Sequence, residues 1–205
     1  MNRLHEVPPG QAGEWERKAQ RILATGELPH FAPDADMLAL QRRRVTAHIS
    51  TWGSNGTALI LGATPELADL ALGEGLRVVS VDRSAGMLAA AARRRGLSDP
   101  ARETWIVGDW LDMGAIARGS MDVVLGDASL NNVPHRQIPA LLDEIARITR
   151  TGSLISLRQI VLPDAAVDTF AFSAGQASFA ARVQVEPLTD ANAGGRAPPA
   201  YTSST

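Results

Sequence analysis

Cysteine is absent from the 205 residues, which excludes disulfides, thiolate metal sites and a cysteine nucleophile. Long apolar runs are absent too, and the opening MNRLHEVPPGQAGEWERK lacks the apolar core of a signal peptide. A soluble cytoplasmic protein, with no membrane partner, is the expectation. Charge of one sign is also missing. The net charge of −2 gives no reason to expect nucleic acid or an anionic membrane surface as a partner. The basic residues cluster only at Arg42–Arg44 and Arg93–Arg95. The second triplet closes a predicted helix and reads as a solvated face complementing the dipole, while the first can alternatively meet a phosphate-bearing substrate. No internal repeat is visible. What remains is an ordinary soluble composition, 45% hydrophobic and 20% charged, long enough for one substantial domain with additions.

The chain is organised around residues 57–67, TALILGATPEL. The apolar run Ala58–Leu61 suits a strand buried on both faces. Gly62 permits a sharp turn and close approach of a ligand. Thr64 is positioned to cap the next helix, Pro65 fits its first turn, and Glu66 opposes its dipole. Two helices, near 11–25 and 33–50, precede this motif, with a turn at Trp52–Gly56. After it the pattern alternates: a helix over 65–72, a strand over 76–82, a helix over 84–95 capped by Ser84, and a strand over 103–109. A short helix or turn lies near 113–117, followed by a strand over 121–127, a helix over 134–150 ended by Gly152, and a strand over 154–162. The alternation predicts an α/β fold with a doubly wound, mainly parallel sheet and right-handed crossovers. Beyond Pro163 the signal weakens to a helix over 164–181, a short strand over 182–186 and a disordered tail over 187–205. The expected organisation is an N-terminal helical cap (1–50), an α/β domain (51–186) and the tail.

Four strands end on Gly62, Asp82, Asp109 and Asp127, and in a parallel sheet those ends share the ligand edge. Asp82 follows Gly62 at the spacing where a carboxylate can accept both hydroxyls of an adenosine ribose; the alternative is that it only caps the next helix. A dinucleotide fingerprint would need G-x-G-x-x-G. This loop reads GATPEL, with one glycine of three and a carboxylate, Glu66, where a pyrophosphate needs positive potential. A ligand with adenosine, a sulfonium and an amino acid end fits better.

The motifs LILGATPELA, VVSVDRSAGML, WIVGDWLDM and MDVVLGDASLNNVP resemble, in order and spacing, those of the class I S-adenosylmethionine-dependent methyltransferases, over roughly residues 50–162. The resemblance implies a Rossmann-like domain binding S-adenosylmethionine and transferring its methyl group to a small-molecule acceptor. It implies that Gly62, Ala63 and Thr64 line the methionine portion and that Asp82 holds the ribose. Arg83 and Met87 would flank the adenine, Asp109 would accept from its amino group, and Trp110 would lie beside the ring. Asp127, Ala128 and Ser129, with the loop to Asn132, would join cofactor to acceptor. Alignment of the acceptor behind an already activated methyl group is then the main task of the protein.

His135 is the candidate general base where the acceptor must lose a proton; otherwise it is a surface histidine at a helix start. Asp127, Asn131 and Asn132 can in principle ligate magnesium, but loop asparagines more often bond backbone, so no metal is expected. The fourth motif lacks the proline-proline-aromatic signature of enzymes acting on planar amino groups. The family's sheet has seven strands, whereas five clear ones and the weak one over 182–186 are legible here. The expectation is therefore a sheet incomplete at its C-terminal edge, covered by the segment after Pro163 or by a second subunit in a homodimer. A binding module without turnover and a nicotinamide-dependent Rossmann enzyme are the competing readings.

Overall fold

The computed structural model describes residues 9–26, 32–53 and 55–159. Within them the chain runs α1 (Pro9–Thr25), α2 (Ala35–Trp52), β1 (Thr57–Leu61), α3 (Pro65–Gly73), β2 (Arg77–Asp82), α4 (Ala85–Arg93), β3 (Glu103–Val107), β4 (Met121–Asp127), α5 (Ile138–Ile148) and β5 (Thr149–Arg158). The five strands form one sheet in the order β3-β2-β1-β4-β5, every pair parallel. The doubly wound α/β architecture is as the alternation predicts. The expected helix, strand and tail beyond Pro163, and the last residues of the expected fifth strand, lie outside the described residues.

The central strands are apolar on both faces because both are covered. Ala58, Ile60, Val123 and Leu125 pack with Val45 of α2 and with Leu67, Leu70 and Ala71 of α3. Leu59, Leu61 and Val124 face the other way, toward Leu141, Ile145 and Ile148 of α5 and toward Met113 and Ile116. Period-2 alternation therefore sorts one continuous apolar run into two cores. The N-terminal helices join this body. Ala19 of α1 is fully buried, and the Ser84 hydroxyl at the start of α4 donates to the Glu16 carboxylate across 2.9 Å.

Residues 110–119 form turns, one of the two alternatives expected near 113–117. Two local expectations change. Helix α5 begins only at Ile138, preceded by a single 3-10 turn over His135–Gln137. Gly152 does not terminate that helix but lies inside β5, where the register against β4 shifts between Met121 and Val123. Its φ is +87°, and a Cβ there would stand 2.9 Å from the Trp52 ring. The bulge needs a left-handed residue and the neighbouring indole leaves no room for a side chain, so both demands select glycine.

Candidate functional site

The Gly62 turn, the end of β2 and the loop after β3 are tied into one knot at the C-terminal edge of the sheet. Gly62 has φ +110°, and its N–H donates to the Val81 carbonyl at 2.9 Å. The Trp110 indole N–H donates to the same carbonyl at 2.7 Å. The Asp82 carboxylate accepts from Ala63 N–H at 3.1 Å on one oxygen and from Ser84 N–H at 2.8 Å on the other. A Cβ added at Gly62 would stand 3.5 Å from the Trp110 ring and 3.8 Å from Asp82 Oδ2. The missing side chain thus leaves open the space between a carboxylate and an aromatic face.

Asp82 is not the helix cap. That role falls to the buried Ser84, whose hydroxyl accepts from Met87 N–H at 3.0 Å. Asp82 instead joins β2 to the glycine turn, which holds its oxygens at the sheet edge. Burial pushes its carboxyl above the usual aspartate range, with the Ser84 and Ala63 N–H groups and the Arg83 charge pulling the other way. Thr64 occupies the N-cap position of α3 without a side-chain capping bond, so its hydroxyl is not spent on the helix.

Beyond β2, Arg83 pairs with Asp109 at 2.6 Å, and Asp109 also accepts from Leu111 N–H at 2.9 Å. Asp109 lies two residues past the end of β3 rather than within it. Met87 is buried on α4. At β4, the Asp127 carboxylate accepts from the Arg158 guanidinium, its register partner on β5. Ala128 adopts φ +51°, and its carbonyl accepts from Asn131 N–H at 3.1 Å and from the Asn132 amide at 2.9 Å. The Asn132 amide is therefore used on backbone. Ser129 is fully buried and donates to the Leu61 carbonyl at 3.0 Å, locking this loop to the end of β1. His135 is exposed, at the start of the 3-10 turn that follows the loop.

The packing behind Ser129 leaves no space at Gly126. A Cβ there would collide with the Ser129 hydroxyl and come within 2.9 Å of Leu157 Cδ2. Gly126→Ala is expected to cost about 1–3 kcal/mol through overpacking, read as a lowered thermal midpoint.

Two charge readings change. Glu66 is neutralised by Arg94, which donates to it at 2.7 Å, so the carboxylate alone does not repel a phosphate; the two missing glycines carry that argument. The Arg93–Arg95 triplet is not merely a solvated face. The Arg95 side chain is only 2% exposed and is paired with Asp69 and, at 2.7 Å, with Glu103. Of the first triplet, Arg42 pairs with Glu74 at 3.0 Å and Arg44 donates to the Ser156 hydroxyl at 3.1 Å, so both reach protein partners.

Sequence reasoning missed Gln41 and Arg158. The structure places both in a small pocket with Pro33, Met37, Leu67, Gly126 and Asp127. The signals were there: an amide on the stripe Met37–Gln41–Val45, and an arginine inside an apolar strand.

Residues 62–152 match the family model described as a methyltransferase domain. No curated protein matches the chain. Among solved structures, the fold is similar to that of the N-methyltransferase NodS from Bradyrhizobium japonicum, in complex with S-adenosyl-L-homocysteine (TM-score 0.53, 14% identity, 69% of this chain and 71% of that one). It is also similar to geranyl diphosphate C-methyltransferase from Streptomyces coelicolor (0.53, 18%, 73% and 64%), and to DhpI in a complex named for SAM and HEP (0.54, 22%, 80% and 70%). These likenesses speak for the fold, and the family match covers the stretch that holds Gly62, Asp82, Asp109 and Asp127. Residues 62–152 thus match a methyltransferase domain, and the sheet around them has the Rossmann-like fold of the similar structures.

Proposed function

We propose that this methyltransferase acts on a small-molecule acceptor and holds its methyl donor at the Gly62–Asp82–Trp110 knot. The observation that carries the assignment is the open space at Gly62, bounded by the Asp82 carboxylate and the Trp110 ring. A carboxylate anchored by two backbone N–H groups presents its remaining lone pairs to a ribose diol without reorganising. The donor supplies a methyl group already activated on a sulfonium. The protein's part is to bind, to orient and to keep water out. Gly62, Ala63 and Thr64 line the amino acid side, the Arg83–Asp109 pair bounds the base side, and the loop from Asp127 to Asn132 separates donor from acceptor. The similar structures include enzymes whose names specify an N-acceptor and a C-acceptor, which supports small-molecule chemistry without fixing the acceptor atom. His135, exposed beyond that loop, is the proposed base for an acceptor that must lose a proton.

Calorimetric titration tests the reading. S-adenosylmethionine and S-adenosylhomocysteine are expected to bind with one site per chain, and NAD(H) not at all. Binding of NAD(H) with no binding of either sulfur ligand would overturn it.

The same titration over pH tests the role of Asp82. Ribose binding needs the ionised carboxylate, and burial raises its pKa. Affinity is therefore expected to fall on acidification at a pH above that of an ordinary aspartate, about 3.9. The stability term runs the other way. A raised pKa in the folded state favours the protonated form, so this group's contribution to stability declines as pH rises through the interval. Loss of binding on acidification is thus not explained by this group unfolding the protein.

A further inference from the structure

Helix α1 reaches the Asp82 loop through one side chain. The Glu16 carboxylate accepts from the Ser84 hydroxyl at 2.9 Å, and the Ser84 N–H donates to Asp82 Oδ1 at 2.8 Å. Ser84 is buried, and its hydroxyl also accepts from Met87 N–H at 3.0 Å. One serine therefore joins α1, the first turn of α4 and the carboxylate at the end of β2. Gly86 is a second, independent mark of the same contact. A Cβ there would stand 2.5 Å from Glu16 Oε1 and 2.8 Å from its Cδ. Glycine is the poorest helix former after proline, and α4 is otherwise rich in alanine, AGMLAAAAR. A glycine in its first turn is accounted for by the carboxylate that takes the space a side chain would fill. That carboxylate also stands at the positive end of the α4 dipole. Ala19, one turn along α1 from Glu16, is fully buried, which puts Glu16 on the packed face of its helix.

We infer that Glu16 is a positioning residue for the donor site, holding Ser84 and, through Ser84, the Asp82 carboxylate in the orientation that receives the donor's ribose. The inference rests on the proposal that the donor sits at Asp82, and it adds a residue 68 positions before Ser84 in the chain. Glu16 acts through Ser84 rather than on the ligand. Its effect is a linkage: docked α1 favours the donor-ready carboxylate, and by reciprocity bound donor favours docked α1. Glu16 is exposed as a residue, so its replacement leaves the core intact and the linkage readable.

The test uses the full chain, calorimetric titration with S-adenosylhomocysteine, and amide hydrogen exchange over residues 13–25 of α1. Glu16→Ala is expected to bind the ligand roughly fivefold more weakly, the worth of one hydrogen bond. Glu16→Gln keeps an acceptor oxygen for the Ser84 hydroxyl and is expected to lie nearer wild type. Gly86→Ala raises the helix propensity of α4 but pushes the carboxylate away, so affinity is expected to fall by a similar factor. In the double variant Glu16→Ala/Gly86→Ala the second substitution is expected to add no further loss, because no carboxylate is left to displace. The ligand is expected to slow exchange in α1 of wild type and to lose that effect in Glu16→Ala. Wild-type affinity in Glu16→Ala, equal weakness of Glu16→Gln and Glu16→Ala, losses that multiply in the double variant, or wild-type α1 exchange indifferent to the ligand would each overturn the inference. Failure of S-adenosylhomocysteine to bind wild type, or wild-type affinity in Asp82→Ala, would instead strike the donor-site reading.

Discussion

Asp82→Ala is expected to weaken S-adenosylmethionine binding by roughly 10- to 100-fold. Hydrogen bonds to a charged group contribute about 1.5–3 kcal/mol each, and a ribose diol would lose its acceptor altogether. The substitution also removes the partner of two backbone N–H groups, Ala63 and Ser84, so the glycine turn loses the strut that holds it against β2. Calorimetry read beside a melting curve separates the two effects. Asp82→Asn keeps the shape but trades one acceptor oxygen for an NH2 group facing an N–H donor, and is expected to fall between wild type and alanine in affinity. Wild-type affinity in Asp82→Ala would mean that the donor does not sit at the end of β2.

The largest effect on stability is expected at Arg95, just past the end of α4. Its guanidinium is buried between Asp69 of α3 and Glu103 of β3, with side-chain exposures of 2% for Arg95 and 5% for Glu103. It also lies 5.8 Å from the centroid of Trp105. The surrounding N–H groups complete the carboxylates: Gly96 donates to Asp69 at 2.6 Å and Asp99 to Glu103 at 2.7 Å. Arg95→Met leaves two carboxylates without their cation. Breaking such a pair on one side costs about 3–5 kcal/mol, which for a chain of this size lowers the thermal midpoint by roughly 6–20 °C. Pairing it with Glu103→Gln is expected to recover part of the loss, because the neutral amide carries no stranded charge. A midpoint within about 2 °C of wild type for Arg95→Met would restore the solvated-face reading of the triplet.

The strands of the parallel sheet were legible from the chain alone. Ala58–Leu61 and Val123–Leu125 are short, apolar and bounded by turn residues, and such runs have no stable place except a strand covered on both sides. The aspartates were legible for the same reason: a charged residue directly after such a run must lie at the sheet's edge. Boundaries were less so. Gly152 read as a helix stop, since glycine after a helix is the commoner case, whereas contact with Trp52, 100 residues earlier, makes it a bulge. Glu66 read as a free negative charge because its partner, Arg94, comes from the next helix.

From the sequence by itself came the parallel α/β fold, the Gly62 turn and the row of acidic strand ends, because periodicity and strand termini are local properties of the chain. Only the tertiary structure decided what those charges face. Arg95 became an internal tie, Asp127 became half of a pair with Arg158, and Gln41 was buried with a side-chain oxygen that has no hydrogen-bond partner among the described residues. Pairing depends on which residues meet across strands and helices. One position of register exchanges the two faces of a strand, and no single segment of the chain carries that information.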